Sequence, residues 1–164
     1  MCTLGNTIEK RKGEVLTSFK TLLQEHGLKA TLQRLAILEE IHKHGHIDVE
    51  MLFASLQKHF PTLALGTLYR NLNELSQKGI LTEVTLPGQK HKYEIRKAPH
   101  VHLICEQCGK IEDKTINLDD VITRLEEENH YKINCKAVSF YGLCEACQKD
   151  PSAVAKKIPC SPLF

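Results

Sequence analysis

Gly66-Thr-Leu-Tyr-Arg-Asn-Leu-Asn-Glu-Leu-Ser-Gln-Lys78, then Gly79, then Ile80-Leu-Thr-Glu-Val-Thr-Leu86 is where the chain changes its hydrophobic period. Leu68, Leu72 and Leu75 recur at helical spacing, so this segment is predicted to be a helix with one apolar face, stopped by Gly79. Past the glycine the pattern becomes that of a strand. A second strand, His91-Lys-Tyr-Glu-Ile95, lies across Pro87-Gly-Gln-Lys90, which together read as a β-hairpin. A helix with an exposed polar face followed by a hairpin is the order of a winged helix-turn-helix. In that fold the helix before the hairpin enters the DNA major groove.

Upstream, Val15, Leu16, Phe19, Leu22 and Leu23 predict a helix from Glu14 that Gly27 closes. Thr31 is a candidate N-cap for a second helix, with Leu35, Leu38 and Ile41 on one face up to Gly45. His46-Ile-Asp48 reads as a short turn, with Asp48 capping a third helix that carries Leu52, Phe53 and Leu56 and ends before Pro61. Residues 1–13 are polar and read as a flexible extension. Three helices, a recognition helix and a hairpin thus occupy residues 1–95.

Downstream, Arg96-Lys-Ala-Pro99 reads as a hinge. Strands are expected at Val101–Cys105, Lys110–Ile116 and Ala137–Tyr141, with an amphipathic helix over Leu118–Asn129. Residues 100–148 therefore form a small α/β unit, and the fold class of the whole chain is α+β. The core of the second unit is meagre and calls for a metal or a partner chain. Residues 149–164 have no periodicity and read as a flexible tail.

Composition sets the outer bounds. The chain has 164 residues, 41% hydrophobic and 26% charged, enough for one ordinary domain or two small ones. It holds no apolar run of the roughly 18 residues a membrane helix needs, so no membrane partner is expected. Its first residues lack the apolar core of a secretory signal, which points to the cytoplasm. Residues 1–97 hold 14 Lys and Arg against 10 Asp and Glu, and residues 98–164 hold 8 against 10. That imbalance is compatible with nucleic-acid contact by the first half.

The chemistry is concentrated in His100-Val-His-Leu-Ile-Cys-Glu-Gln-Cys108. In an extended strand His100 and His102 share a face, and Cys105 points to the other, so one metal cannot take both kinds of ligand. Two sites back to back follow. Cys105 and Cys108 pair with Cys144 and Cys147, a second Cys-x-x-Cys, to give the four thiolates of a closed, tetrahedral structural zinc site. Redox-active pairs are the alternative, but nothing here resembles a thioredoxin-type strand-to-helix entry. Cys2, Cys135 and Cys160 are left over as incidental thiols.

The histidine face needs partners from elsewhere. Glu94, Asp113 and His46 are placed to supply them, although His42, His44 and His59 are equally available by spacing. A mixed nitrogen and oxygen set suits Fe²⁺ or Mn²⁺ better than a thiolate set would, and Zn²⁺ would also bind it. The alternative is a His-x-His strand that is only a polar face.

Four segments together resemble the ferric uptake regulator (Fur) family of metal-dependent repressors: Gly27-Leu-Lys-Ala-Thr-Leu-Gln-Arg34, Gly66-Thr-Leu-Tyr-Arg-Asn-Leu72, His100-x-His-Leu-Ile-Cys-x-x-Cys-Gly109 and Tyr141-Gly-Leu-Cys-x-x-Cys147. The resemblance spans residues 14–148. It implies a winged-helix DNA-binding domain, a dimerisation domain, a Cys₄ structural zinc, and a regulatory metal held by His46, Glu94, His100, His102 and Asp113. It also implies a homodimer on double-stranded DNA with a palindromic operator, read by Thr67, Tyr69 and Arg70 with Lys29 reaching backbone or minor groove. Tyr69 in the core, and Arg34 as a phosphate contact only, are the alternatives at those positions. Where the family has a further metal site, this sequence has Pro99, Val101 and Lys136, so no third site is expected. Asp113, where iron-uptake members often have Glu, resembles the peroxide-sensing branch (PerR), in which iron-driven oxidation of a ligand histidine releases DNA. Glu94 departs from that branch and keeps the iron-uptake regulator as the alternative. Two other classes stand beside the repressor: a zinc hydrolase using His100, His102 and Glu94, and a constitutive zinc-stabilised DNA-binding module.

Overall fold

The computed structural model describes residues 5–84, 90–134 and 138–149, which fall into two compact units, Met1–Arg96 and Lys97–Phe164. The first unit is built from α1 (Gly5–Glu25), α2 (Leu32–His44), β1 (Ile47–Asp48), α3 (Val49–Gln57), α4 (Leu65–Gln77), β2 (Leu81–Val84) and β3 (Lys92–Ile95). The second contains β4 (Val101–Cys105), β5 (Ile111–Lys114), α5 (Asp119–Asn129), β6 (Ser139–Gly142) and α6 (Glu145–Gln148). The hairpin turn lies mostly outside the described residues, as do Cys2, Cys135, Cys160 and nearly all of the expected tail.

In the first unit the helices begin where their capping groups dictate. Thr31 is extended and its side chain accepts the N–H of Arg34 at 3.3 Å, opening α2. Asp48 does the same for Met51 at 2.9 Å and opens α3. The apolar stripes then meet: Leu23, Ile37, Leu38, Ile41, Leu52, Leu56, Leu68, Leu72 and Leu75 are fully or almost fully buried in one core. Gly79, at φ +71, makes the turn from α4 into β2, and a Cβ there would sit 3.1 Å from Arg96 Nη1. The order α2, α3, α4 and then the antiparallel β2–β3 pair is that of a winged helix-turn-helix.

Two features differ from the sequence expectation. Helix α1 starts at Gly5, earlier than the expected start at Glu14. Its added turns include Glu9-Lys-Arg-Lys12, long unbranched residues that favour helix without offering an apolar stripe. His46-Ile-Asp48 is not only a turn: Ile47 and Asp48 form β1, antiparallel to β3 with Ile47 opposite Tyr93 and Asp48 opposite Lys92. The sheet of the first unit therefore has the order β1-β3-β2, with β3 in its centre.

The second unit is a sheet of order β5-β4-β6, antiparallel across β4–β5 and parallel across β4–β6. Its centre is β4, where Val101, His102, Ile104 and Cys105 are buried. None of the α5 residues is buried, and Val121 and Leu125 are 55% and 46% exposed. Apolar burial among the described residues of this unit is accordingly small.

A carboxylate ties α2 to α3. Ser55 Oγ donates to Glu40 Oε2 at 2.5 Å, with Lys43 and His44 on the same carboxylate. The Ser55 hydroxyl, opposed by burial and aided by Lys43 and His44, holds the Glu40 carboxyl below the usual glutamate range. A depressed folded pKa contributes stability above the unfolded value of about 4.3 and loses it as pH falls through the folded value. Replacing Ser55 with Ala is therefore expected to cost roughly 1–2 kcal/mol at pH 7 and progressively less below about pH 4. Urea unfolding of both proteins at pH 7 and 3.5, followed by helix ellipticity, checks this.

Candidate metal centres

The cysteine cluster is assembled by β4, its following turn and the segment after β6. Cys105 ends β4, Cys108 lies in the turn, Cys144 caps α6, and Cys147 lies within that helix. Pairing of Cys105 with Gly142 brings the second Cys-x-x-Cys beside the first. The four sulfurs all lie within 4.8 Å of one another, and Cys108 Sγ is 3.8 Å from Cys144 Sγ. A tetrahedron with bonds of about 2.3 Å from zinc to sulfur has edges of about 3.8 Å, so the donors fit that ion in number, type and spacing.

Their electrostatics also fit a cation. Burial opposes ionisation of Cys105, but backbone N–H groups, that of Cys144 at 3.4 Å among them, outweigh it and draw the thiol down to about 6. Cys147 is pushed up to about 12, by burial and by the neighbouring sulfurs of Cys144, Cys108 and Cys105. The Cys105 thiolate thus forms readily, whereas Cys108 and Cys147 resist ionisation. A divalent cation among them removes that repulsion.

The other donors fall into two groups, one in each unit. In the first unit, extending the β1–β3 register by one residue sets His46 opposite Glu94. His46 Nε2 lies 3.3 Å from Glu94 Oε2, with side chains 9% and 2% exposed. A buried carboxylate in a central strand is costly to fold around, and beside an imidazole it marks a site more than a packing element. Spacing alone did not separate His46 from His42, His44 and His59; the β1 pairing does.

In the second unit His100, His102 and Asp113 converge. Asp113 is directly opposite His102 in the β4–β5 register. The two Nε2 atoms are 3.1 Å apart, and they lie 3.8 and 3.6 Å from Asp113 Oδ1. His100 Nδ1 lies 2.9 Å from the carbonyl of Ala98, which can only accept. That bond puts the proton of a neutral His100 on Nδ1 and leaves the Nε2 lone pair facing the cluster, the tautomer a metal ligand needs. Lys97, which no motif singles out, puts its ammonium on Asp113 Oδ2. A cation entering here competes with Lys97 for that carboxylate.

The residues expected to meet DNA are all in the first unit. Leu68, Leu72 and Leu75 bury one face of α4, which leaves Tyr69 46% exposed and Arg70 exposed, with Thr67 half-buried. Tyr69 is therefore not a core residue. It lines a shallow cleft with Glu50, Lys90, His91 and Tyr93, at the base of the hairpin. Lys29 is exposed just before α2. Arg34 is turned inward to Glu74, 2.6 Å away, so the expected phosphate contact has an internal partner.

Known proteins resemble this chain over most of its length. The ferric uptake regulator family matches residues 25–147. The peroxide-responsive repressor PerR of Staphylococcus saprophyticus is 32% identical over 144 residues, covering 87% of this chain and 95% of that protein. The ferric uptake regulation protein of Campylobacter upsaliensis is 33% identical over 138 residues, covering 81% and 88%. Among solved structures, the Vibrio cholerae ferric uptake regulator superposes with a TM-score of 0.64 at 29% identity, over 76% of this chain and 98% of that one.

Replacing Cys108 with Ser is expected to release the metal. Native mass spectrometry should find one zinc fewer per chain in the variant than in the wild type. Hydrogen exchange should show loss of protection in β4–β6 while α2–α4 keep theirs. Full zinc retention by the variant would refute the assignment.

Proposed function

The chain belongs to the ferric uptake regulator family of metal-responsive transcription regulators, which are not enzymes, and we propose that it is a cytoplasmic repressor binding palindromic operator DNA as a metal-loaded homodimer. The observation that carries this reading is the division of the donors. His46 and Glu94 sit in one unit, and His100, His102 and Asp113 in the other. Two donors or three leave a six-coordinate ion short of ligands, whereas five of mixed nitrogen and oxygen type suit Fe²⁺ or Mn²⁺. One divalent cation shared by both groups supplies the attraction that selects a single arrangement of the units. His46 and Glu94 offer the donors on the DNA-binding side of the Arg96–Pro99 hinge. The His100 tautomer, fixed by Ala98, offers a lone pair on the other. The effect on DNA is limited to the differential affinity of the metal for the DNA-competent arrangement.

A second copy completes the reading. Val121, Leu125 and Phe140 are 55%, 46% and 48% exposed in one copy, and a partner subunit covers such surface at little cost. Two copies then present two α4 helices at a spacing set by the dimer, which a palindrome matches. Thr67, Tyr69 and Arg70 read the major groove: the Tyr69 ring suits thymine methyls and the Arg70 guanidinium suits phosphate or guanine. Lys29 reaches backbone or minor groove. The cysteine cluster holds structural Zn²⁺, and zinc can also enter the regulatory set in vitro.

Within the family we favour a peroxide sensor in which Fe²⁺ is the regulatory ion. Asp113 as the second carboxylate and the similarity to a peroxide-responsive repressor support it. Glu94, together with comparable identity to a ferric uptake regulation protein, favours the second reading, an iron-uptake regulator with Fe²⁺ as corepressor.

Titration of the zinc-loaded dimer with Mn²⁺ should raise its affinity for a duplex selected from a random pool. Glu94→Ala should weaken the metal response by at least the roughly 10–100-fold that losing an outer-shell partner costs. Identical DNA affinity with and without metal would instead leave a constitutive module. Brief H₂O₂ treatment of the Fe²⁺ form should add one oxygen, +16 in mass, to His46 or His100; an unmodified chain favours the iron-uptake reading.

A further inference from the structure

One guanidinium connects the two parts of the first unit that the proposed function sends to DNA. Arg34 is on the first turn of α2, its side chain 13% exposed. Its Nη1 donates to the carbonyl of Lys29 at 2.9 Å, its Nε to Asn71 Oδ1 at 3.3 Å, and its Nη2 to Glu74 Oε2 at 2.6 Å. Asn71 in turn donates from Nδ2 to the carbonyl of Thr67 at 2.9 Å, which fixes its amide so that Oδ1 faces Arg34. The Lys29 carbonyl also accepts the Thr31 N–H at 3.0 Å, so the backbone carrying Lys29 is held from two sides.

We propose that Arg34 is a positioning residue for DNA recognition: its fork sets the separation between the Lys29 segment and the recognition helix α4, and it makes no contact with DNA itself. This rests on the reading of Lys29, Thr67, Tyr69 and Arg70 as DNA-facing residues. Each of the three guanidinium nitrogens has an internal partner, and the Glu74 carboxylate cancels the charge that a phosphate would otherwise feel. A planar fork fixes direction as well as distance, which a lysine ammonium cannot reproduce at three acceptors. The separation matters because a lysine on the backbone or minor groove and a helix in the major groove must touch one duplex together. Sequence discrimination depends on that register, whereas sequence-independent phosphate attraction does not.

Three variants of the full-length, zinc- and Mn²⁺-loaded protein test this: Arg34→Lys, Arg34→Gln and Glu74→Gln. Affinities are measured for the duplex selected by the wild type from a random pool and for an unrelated duplex, over a range of salt. Positioning predicts that all three lose affinity for the selected duplex, on the order of tenfold, the size of effect that one charge-assisted hydrogen bond supports. Affinity for the unrelated duplex and the salt slope should stay as in the wild type. A phosphate contact predicts the reverse pattern. Arg34→Lys would then keep full affinity, Arg34→Gln would lower the salt slope by about one, and Glu74→Gln, by removing a negative charge, would tighten binding. That pattern overturns the proposal and leaves the DNA-binding reading intact. A random pool that yields no preferred sequence for the wild type overturns both. Should Arg34→Gln fail to fold, Glu74→Gln decides by the sign of its effect, since its carboxylate is 41% exposed.

Discussion

Four sulfurs within 4.8 Å of one another cannot all ionise without a cation among them, and the second unit is organised around that constraint. Cys105 is drawn to the thiolate by backbone donors, while Cys147 is driven the other way by burial and by its neighbours. With no buried residue on α5 and only a short sheet, little apolar burial is available to hold β4 in place. A closed cysteine site supplies what the core lacks. Because β4 also carries His102, and His100 precedes it, fixing the cysteines fixes the histidine pair on the opposite face.

The first unit meets a different problem, that of keeping a carboxylate and an imidazole in a central strand environment. Glu94 is opposite Thr82 of β2 in register, 2% exposed, beside His46. Burying a carboxylate beside an imidazole carries a desolvation cost, which a bound cation would offset. Apart from the cysteines, each unit thus carries donors of the types a regulatory metal uses, two in the first and three in the second. Under the proposed function, that division couples metal affinity to domain arrangement.

Much of this was legible in the sequence because it is local. The caps at Thr31 and Asp48, the stripe of Leu68, Leu72 and Leu75, and the two Cys-x-x-Cys pairs each declare themselves within a few residues. What was not legible depends on partners far along the chain. Two residues cannot show a period of two, so Ile47 and Asp48 read as a turn until β3 is laid beside them, and with them goes the reason for preferring His46 over its neighbours. Long side chains are equally silent. Lys97 and Arg34 look like ordinary surface cations in sequence, and only the fold shows them on Asp113 and Glu74. The helical start at Gly5 escaped for a third reason, since helix propensity without an apolar stripe leaves no periodic signal.

We propose that one divalent cation draws on donors from both units and so selects their arrangement. Small-angle X-ray scattering of the zinc-loaded dimer, with and without saturating Mn²⁺, addresses it without DNA. A narrower pair-distance distribution and a smaller radius of gyration are expected with Mn²⁺, and no such change in His46→Ala. Superimposable profiles with and without Mn²⁺, or a full response in His46→Ala, would contradict it.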